Sequence, residues 1–182
     1  MSKKVVIVST TPRKNGNSEI LATEFMKGAV DNGNDVRMIK VREMDLKFCK
    51  GCFSCQKTNK CVIKDDFTKE MLYDICKADV LVFATPVYYY ESSGQLKTFI
   101  DRMNPLFNVK QNIHDIYIIA TAAENEVRTF KGVKEDIKGY IDCYDDKKIK
   151  GTLFAGGVNN VGEVKTHKTY MKKAYDMGHK IK

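Results

Sequence analysis

Two kinds of hydrophobic pattern alternate along the chain. Short apolar runs at KKVVIVS (3–9), ADVLVFATP (78–86), DIYIIATAA (115–123) and KGTLFAGGV (150–158) read as strands. The first two are nearly unbroken, as strands covered on both faces are. DVRMIKVR (35–42) alternates instead, like a strand with one exposed face. Between these runs the period changes to that of a helix. The pattern predicts helices over about 17–32, 65–77, 92–103, 124–143 and 163–182, the first burying Ile20, Leu21, Ala22, Phe25 and Ala29 and stopping at Gly33. The acidic pair Asp65–Asp66 marks the start of the second helix, at the positive end of its dipole.

Five strands and five helices in β-α order predict a parallel sheet with helices on both sides. Of the two common doubly wound arrangements, this number of strands fits the flavodoxin-like α/β three-layer sandwich, with strand order 2-1-3-4-5. Residues 1–182 are expected to form one domain, in which 45–64 is a polar, cysteine-bearing loop. No repeat, low-complexity tract or linker interrupts it.

Composition narrows the class. With 182 residues and 43% hydrophobic, the chain can fill one core. No apolar run has the length to cross a bilayer, and Val5–Val8 is too short for the apolar part of a signal peptide, so we expect a cytoplasmic protein without membrane insertion. The net charge of +8 is spread along the chain, with local excess at 147–150 and 165–182 and no arginine-rich arm. Such a surplus would suit nucleic acid, an anionic membrane face or small phosphorylated ligands, but this distribution reads for the most part as a solvated lysine-rich surface and points away from nucleic acid.

The chemistry is expected at the strand exits, where open parallel sheets bind ligands. After the first strand, TTPRKNGNS (10–18) joins hydroxyls, an arginine and a helix start at Asn17–Ser18, both good N-cap residues. Free N–H groups there, with Ser9, Thr10, Thr11, Ser18 and the fork of Arg13, would make an anion pocket for a phosphate. The dinucleotide G-x-G-x-x-G and the P-loop are both absent. After the third strand, Pro86 and three consecutive tyrosines offer an aromatic edge to a planar ligand. At the fourth strand's exit, small residues and the N–H groups of 122–124 offer a backbone edge.

Four of the six cysteines lie within thirteen residues, in CKGCFSCQKTNKC (49–61), spaced C-x2-C-x2-C-x5-C. An iron–sulfur cluster, a tetrathiolate zinc, a dithiol pair and idle reduced thiols all remain open on spacing alone. Cys76 and Cys143 lie in helical patterns and are expected to pack.

TTPRKNGNS resembles the G-S-P-R-x-x-G-N-S phosphate loop of the flavodoxin-like NAD(P)H-dependent FMN reductases. Thr10 stands where that pattern has glycine, and Thr11 where it has serine. The resemblance implies FMN phosphate contacts from Thr11, Arg13, Asn15, Asn17 and Ser18. TPVYYYESSGQLKTFIDR is similar to the isoalloxazine loop and following helix of the same family, which implies contacts from Thr85, Pro86, Val87, Tyr88 and Tyr89. Thr121 is the residue we assign at the fourth strand's exit. Lys97 and Asp101 form an i,i+4 pair with no catalytic role expected.

The cysteine spacing also resembles that of the iron–sulfur flavoproteins, which implies a [4Fe-4S] cluster on Cys49, Cys52, Cys55 and Cys61. The implied function is an FMN-binding oxidoreductase that takes hydride from NAD(P)H and passes electrons to a quinone, a flavin or another small-molecule or protein acceptor. No catalytic acid or base is required of the protein. The alternative is an iron–sulfur flavoprotein electron carrier with a ferredoxin-type partner. A phosphorylation-receiver module of the same architecture fits poorly, because strand 1 ends in Ser9–Thr10 and not in carboxylates. Family resemblance further implies a homodimer or higher homo-oligomer.

Overall fold

The computed structural model describes residues 2–182. Its strands are β1 (Lys4–Ser9), β2 (Asp35–Lys40), β3 (Val80–Tyr88), β4 (Glu91–Ser92), β5 (Asp115–Thr121) and β6 (Lys148–Ala155). Its α-helices are α1 (Asn17–Asp31), α2 (Ser54–Thr58), α3 (Leu72–Lys77), α4 (Gly94–Arg102), α5 (Lys131–Ile141) and α6 (Lys168–His179). The five long strands are parallel and ordered β2-β1-β3-β5-β6, which is the expected 2-1-3-4-5 arrangement. The sixth, β4, is a two-residue antiparallel addition to the end of β3, absent from the sequence pattern because it is so short.

Period-2 alternation in the strands sorts the core into two layers. Val6, Val8, Leu81, Phe83, Ile116 and Ile118 face α3, α4 and α5, while Val5, Ile7, Val80, Val82, Ile119 and Leu153 face α1 and α6. The five α1 residues expected to be buried are so. Helices α1 and α6 cross almost backbone to backbone. A Cβ on Gly28 would fall 2.1 Å from the Tyr175 carbonyl oxygen, and one on Gly178 would fall 2.0 Å from that of Phe25.

Three expected helices begin differently. The 65–77 segment opens as a π-helical turn, Phe67–Met71, before α3. The 124–143 segment is irregular as far as Glu126, then turns through a 3-10 stretch (Val127–Phe130) into α5. A Cβ on Gly156 would sit 2.5 Å from the Glu124 carbonyl oxygen, so β6's exit presses on this segment and keeps it out of the helix. The last segment starts with a 3-10 turn, Glu163–Thr166, and α6 follows from Lys168. Cys76 packs against the core as expected, but Cys143 is exposed and offers its thiol only to the Gly139 carbonyl, one turn back at the end of α5. Among the described residues no helix is long and apolar enough to cross a membrane.

Candidate active site at the strand exits

The loop from β1 to α1 closes tightly. Its turn passes through Asn15, left-handed at φ 57° and exposed, a conformation that asparagine tolerates better than most residues. Gly16, not Asn17 or Ser18, is the N-cap: it is extended, and a Cβ there would lie 2.5 Å from the Thr11 hydroxyl oxygen. No side chain caps this end of α1, and the first intrahelical bond is Ile20 N–H to the Gly16 carbonyl. The N–H groups of the first turn are therefore left for a ligand. Beneath them Ser18 is buried and its Oγ has no hydrogen-bond partner, and the same holds for Ser9.

Asn17 is bound differently from its neighbours. Its amide nitrogen donates to the carbonyls of Val158 (3.3 Å) and Asn160 (2.9 Å), and its oxygen accepts from Val164 N–H (3.1 Å). The side chain is spent on holding the β6 exit loop, which leaves its backbone N–H for a ligand. Arg13 donates to the Asn159 carbonyl at 2.8 Å and so spans the same two loops across the mouth. The Glu163 carboxylate accepts from Asn160 and Asn159 N–H, both at 2.8 Å, and these bonds pull its pKa down.

Pro86, Val87 and Tyr88 form the opposite wall, and Thr121 with Ala122 and Ala123 the far end. Together with Thr11, Arg13 and Asn17 they enclose a cleft of about 130 Å³. Of the residues singled out by sequence, those seven converge and four do not. Asn15 makes the turn, and Ser18 lies under the floor. The Thr85 hydroxyl is tied to the Pro86 carbonyl (3.0 Å) and to Ser93 Oγ (3.3 Å), in a buried knot where Ser93 also donates to the Thr10 hydroxyl (3.0 Å). Tyr89 stands almost wholly in solvent, 99% exposed.

Tyr89 and Tyr90 occupy the two-residue turn between β3 and β4, with φ of 52° and 66°. Such turns favour Asn-Gly, and left-handed backbone costs other residues about 1–2 kcal/mol each. Contacts around Tyr90 hold the strained turn. Its hydroxyl meets the Glu124 carboxylate at 3.0 and 3.2 Å, which raises its pKa, and Ser92 Oγ donates to Asp136 at 2.5 Å.

The cysteine loop is pinned at its base. Arg102, at the end of α4, and Asp65 have side chains wholly removed from solvent. The guanidinium forms a fork on the Asp65 carboxylate and also donates to the Lys47 carbonyl (2.7 Å) and Thr68 hydroxyl (2.9 Å). Burial alone would raise the Asp65 carboxyl, but bonds from Arg102 and from the N–H groups of Lys47 and Thr68 bring it down to about 2. The i,i+4 pair Lys97–Asp101 forms at 2.6 Å, exposed. Nothing in the local pattern marks Arg102, the residue next to the exposed Asp101, as the buried anchor.

Two thiols receive N–H groups from the same helix end: Cys61 from Arg102 (3.7 Å) and Cys55 from Asn104 (3.4 Å). Burial, then the neighbouring thiols, raise the Cys55 pKa, whereas the Ser54 backbone and hydroxyl lower that of exposed Cys52. As placed, the loop does not gather its thiols into a ligand set. Among the described residues no three Cys, His, Asp or Glu side chains could hold a metal ion. A second, larger groove of about 710 Å³ opens between α4, α5 and this loop.

A parallel doubly wound sheet in the order β2-β1-β3-β5-β6, with helices on both faces, defines a flavodoxin-like α/β protein. The family model for NADPH-dependent FMN reductase matches residues 3–125, and the chain belongs to that family, whose cofactor is FMN and whose co-substrate is NAD(P)H. An iron–sulfur flavoprotein of Methanocaldococcus jannaschii is 35% identical over 103 residues, 57% of this chain and 53% of that protein. One from Archaeoglobus fulgidus is 33% identical over 102 residues, 56% and 46% of the two chains. The matched stretch thus spans about half the length of these curated relatives. Among solved structures, the NAD(P)H:quinone oxidoreductase of Methanothermobacter marburgensis superposes with TM-score 0.73 at 16% identity, covering 98% of this chain and 96% of the other. An azoreductase from Bacillus anthracis does so with TM-score 0.73 at 14% identity over 100% of both. At those identities the likeness is one of fold.

Proposed function

We propose that the chain seats FMN at the strand exits and uses it to carry hydride from NAD(P)H to a quinone, a flavin or another acceptor. The observation that carries this reading is the uncapped start of α1 above the unpartnered, buried Ser18 hydroxyl. A phosphate would supply the acceptor that both lack. The cleft is smaller than the roughly 300–1,000 Å³ of typical small-molecule pockets, so it suits one end of such a ligand and leaves the rest to the open rim of Pro86–Tyr89.

In this reading Thr11, Arg13, Asn15, Asn17 and Ser18 serve the phosphate, the last three through the turn, a backbone N–H and the buried hydroxyl. Thr85, Pro86, Val87, Tyr88 and Tyr89 serve the ring, with Thr85 acting through its backbone and Thr121 closing the far side. Bound FMN supplies the hydride chemistry by accepting and returning two electrons. The chain's own part is to orient it, to bring the backbone N–H groups of Ala123 and Glu124 against developing negative charge, that of Ala122 being already given to the Ala155 carbonyl at 3.0 Å, and to keep an open face for nicotinamide. No acid or base from the protein is needed. The same reading places the protein in the cytoplasm as a homodimer or higher oligomer, which light scattering on the purified chain checks.

Titration with FMN and with riboflavin tests the proposal. FMN is expected to bind much more tightly than riboflavin, and Arg13→Ala to narrow that preference. A protein that takes up neither would overturn it.

A second reading, an electron carrier with a [4Fe-4S] cluster on Cys49, Cys52, Cys55 and Cys61, is favoured by the N–H groups directed at Cys61 and Cys55. Such donors suit anionic, metal-bound sulfur better than neutral thiols. The thiols would have to draw together to hold it. Iron and sulfide analysis after anaerobic purification decides it, with about four irons per chain expected on this reading and none on the first.

A further inference from the structure

The turn of the β1–α1 loop has a reactivity that phosphate binding does not use. The chain has two asparagine–glycine pairs, Asn15–Gly16 and Asn32–Gly33. Such a pair is open to attack by the glycine nitrogen on the asparagine side-chain amide, because glycine has no Cβ to shield its N–H. The structure treats the two pairs differently. Asn32 caps the end of α1, and its amide nitrogen is held by the Ile181 carbonyl at 2.6 Å, while Gly33 N–H donates to the Val30 carbonyl at 2.8 Å. Asn15 is exposed, and its side chain makes no hydrogen bond among the described residues. The bond that must open for the attack is that of Gly16 N–H to the Arg13 carbonyl, longer at 3.1 Å.

The attack also needs the Gly16 nitrogen to give up its proton, and the surroundings favour that loss. Arg13 and Lys14, both exposed, immediately precede the pair, and among the described residues neither is paired with a carboxylate; Arg13 instead donates to the Asn159 carbonyl. Gly16 is itself the N-cap of α1, where the positive end of the helix dipole is met by no side chain. Two cations and a helix end stabilise negative charge forming at this nitrogen for the same reason that they would stabilise a phosphate.

We propose that Asn15 is a self-modification site, at which loss of the side-chain amide installs a carboxylate on the β1–α1 loop and weakens its hold on phosphate. The inference rests on the reading of this loop as the seat of the FMN phosphate, and it adds how that seat is switched off. The Gly16 nitrogen bonds to Asn15 Cγ as the bond from Cγ to the amide nitrogen breaks. Ammonia leaves with the proton that the Gly16 nitrogen gave up, and a cyclic imide remains. Water then adds to one of the two imide carbonyls and opens the ring to aspartate or to isoaspartate, and the acid proton goes to solvent. Nothing is oxidised or reduced. Either product puts negative charge beside Arg13 and the first N–H groups of α1, where it opposes a bound phosphate. Isoaspartate in addition routes the backbone through an extra carbon, in a turn that Asn15 now makes at φ 57°.

The test incubates the full, flavin-free chain in mildly alkaline buffer and follows each asparagine by peptide mass, together with the ammonia set free. Asn15 is expected to convert at least about threefold faster than Asn32, the factor that one retained hydrogen bond represents. FMN and inorganic phosphate, which neutralise the positive field at the start of α1, should slow conversion at Asn15, and riboflavin should not. N15D is a permanent form of one product, and N15G keeps the left-handed turn without the charge. N15D should bind FMN at least about tenfold more weakly than N15G, with riboflavin bound equally by the two. Conversion no faster at Asn15 than at Asn32, or FMN bound equally by N15D and N15G, overturns the inference. A chain that binds no FMN counts against the oxidoreductase reading. Inorganic phosphate then reads the same loss, through a rise in melting temperature expected in N15G and not in N15D, and a loop that answers to neither anion overturns this inference too.

Discussion

The side-chain oxygen of Asn17 accepts a hydrogen bond from the backbone N–H of Val164 at 3.1 Å, across 147 residues of sequence. With its two donor bonds to Val158 and Asn160, this one side chain locks the first strand's exit to the last. The arrangement makes Asn17 a strut for the β1–α1 loop and fixes the rim against which Arg13 leans.

Asn17→Ala should therefore cost stability more than it costs phosphate recognition. Three backbone groups, two of them buried, lose their partner, worth about 2–3 kcal/mol together. Urea unfolding is expected to show that loss, and FMN and riboflavin affinities to fall by the same factor. A change confined to FMN would mean that the amide touches phosphate directly.

Ser18→Ala should act in opposite directions on the empty and loaded protein. Removing a buried hydroxyl that has no partner relieves its desolvation penalty, so the flavin-free chain should melt at a higher temperature. The FMN-induced rise in melting temperature should shrink, because a phosphate loses about 1 kcal/mol of hydrogen bonding. Melting curves with and without FMN read both effects.

Tyr89→Asn tests the strained turn. Asparagine is favoured at that position of a two-residue hairpin, so the variant should gain roughly 1 kcal/mol in stability. Flavin affinity should drop if the aromatic ring is spent on the cofactor. Stability without loss of binding would mark Tyr89 as serving something else, such as subunit contact.

Asp65→Asn breaks the buried ion pair from one side and leaves the Arg102 charge uncompensated, which should cost about 3–5 kcal/mol. The pH dependence follows from the carboxyl's fall to about 2 in the folded chain. A folded pKa below the unfolded one gives stability that is complete above about pH 4. It is lost as pH falls from there toward 2. Wild type should show that acid decline in its urea midpoint, and Asp65→Asn should show less of it.

How far the chain could be read in advance depends on where the deciding interactions lie. Strands were legible because burial on two faces leaves unbroken runs such as VLVF, whereas their order is not written in the pattern and followed from choosing the shorter of two common doubly wound arrangements. The β1–α1 loop was legible as a candidate anion site because its hydroxyls, arginine and helix start lie together within Thr10–Ser18. The N-cap was misplaced by one residue, since what makes Gly16 the cap is the closeness of the Thr11 side chain. Asn17, Thr85 and Arg102 have partners between 8 and 147 residues distant, and nothing in their neighbours announces them. The helix expected from 124 failed for the same reason: its first residues match the period, but Gly156 and Tyr90 hold them elsewhere.

The joined feet of the cysteine loop separate its fate from that of the sheet. A closed span loses little when it grows, about 0.6 kcal/mol for each doubling, and its contents hang outside the anchoring contacts between 45–47 and 65–68. Residues between the feet are accordingly open to rapid drift: thiols, lysines or whole inserts could be gained or shed in descent without disturbing the strand exits beyond. Such a socket lets one scaffold change its attachments while its frame stays the same.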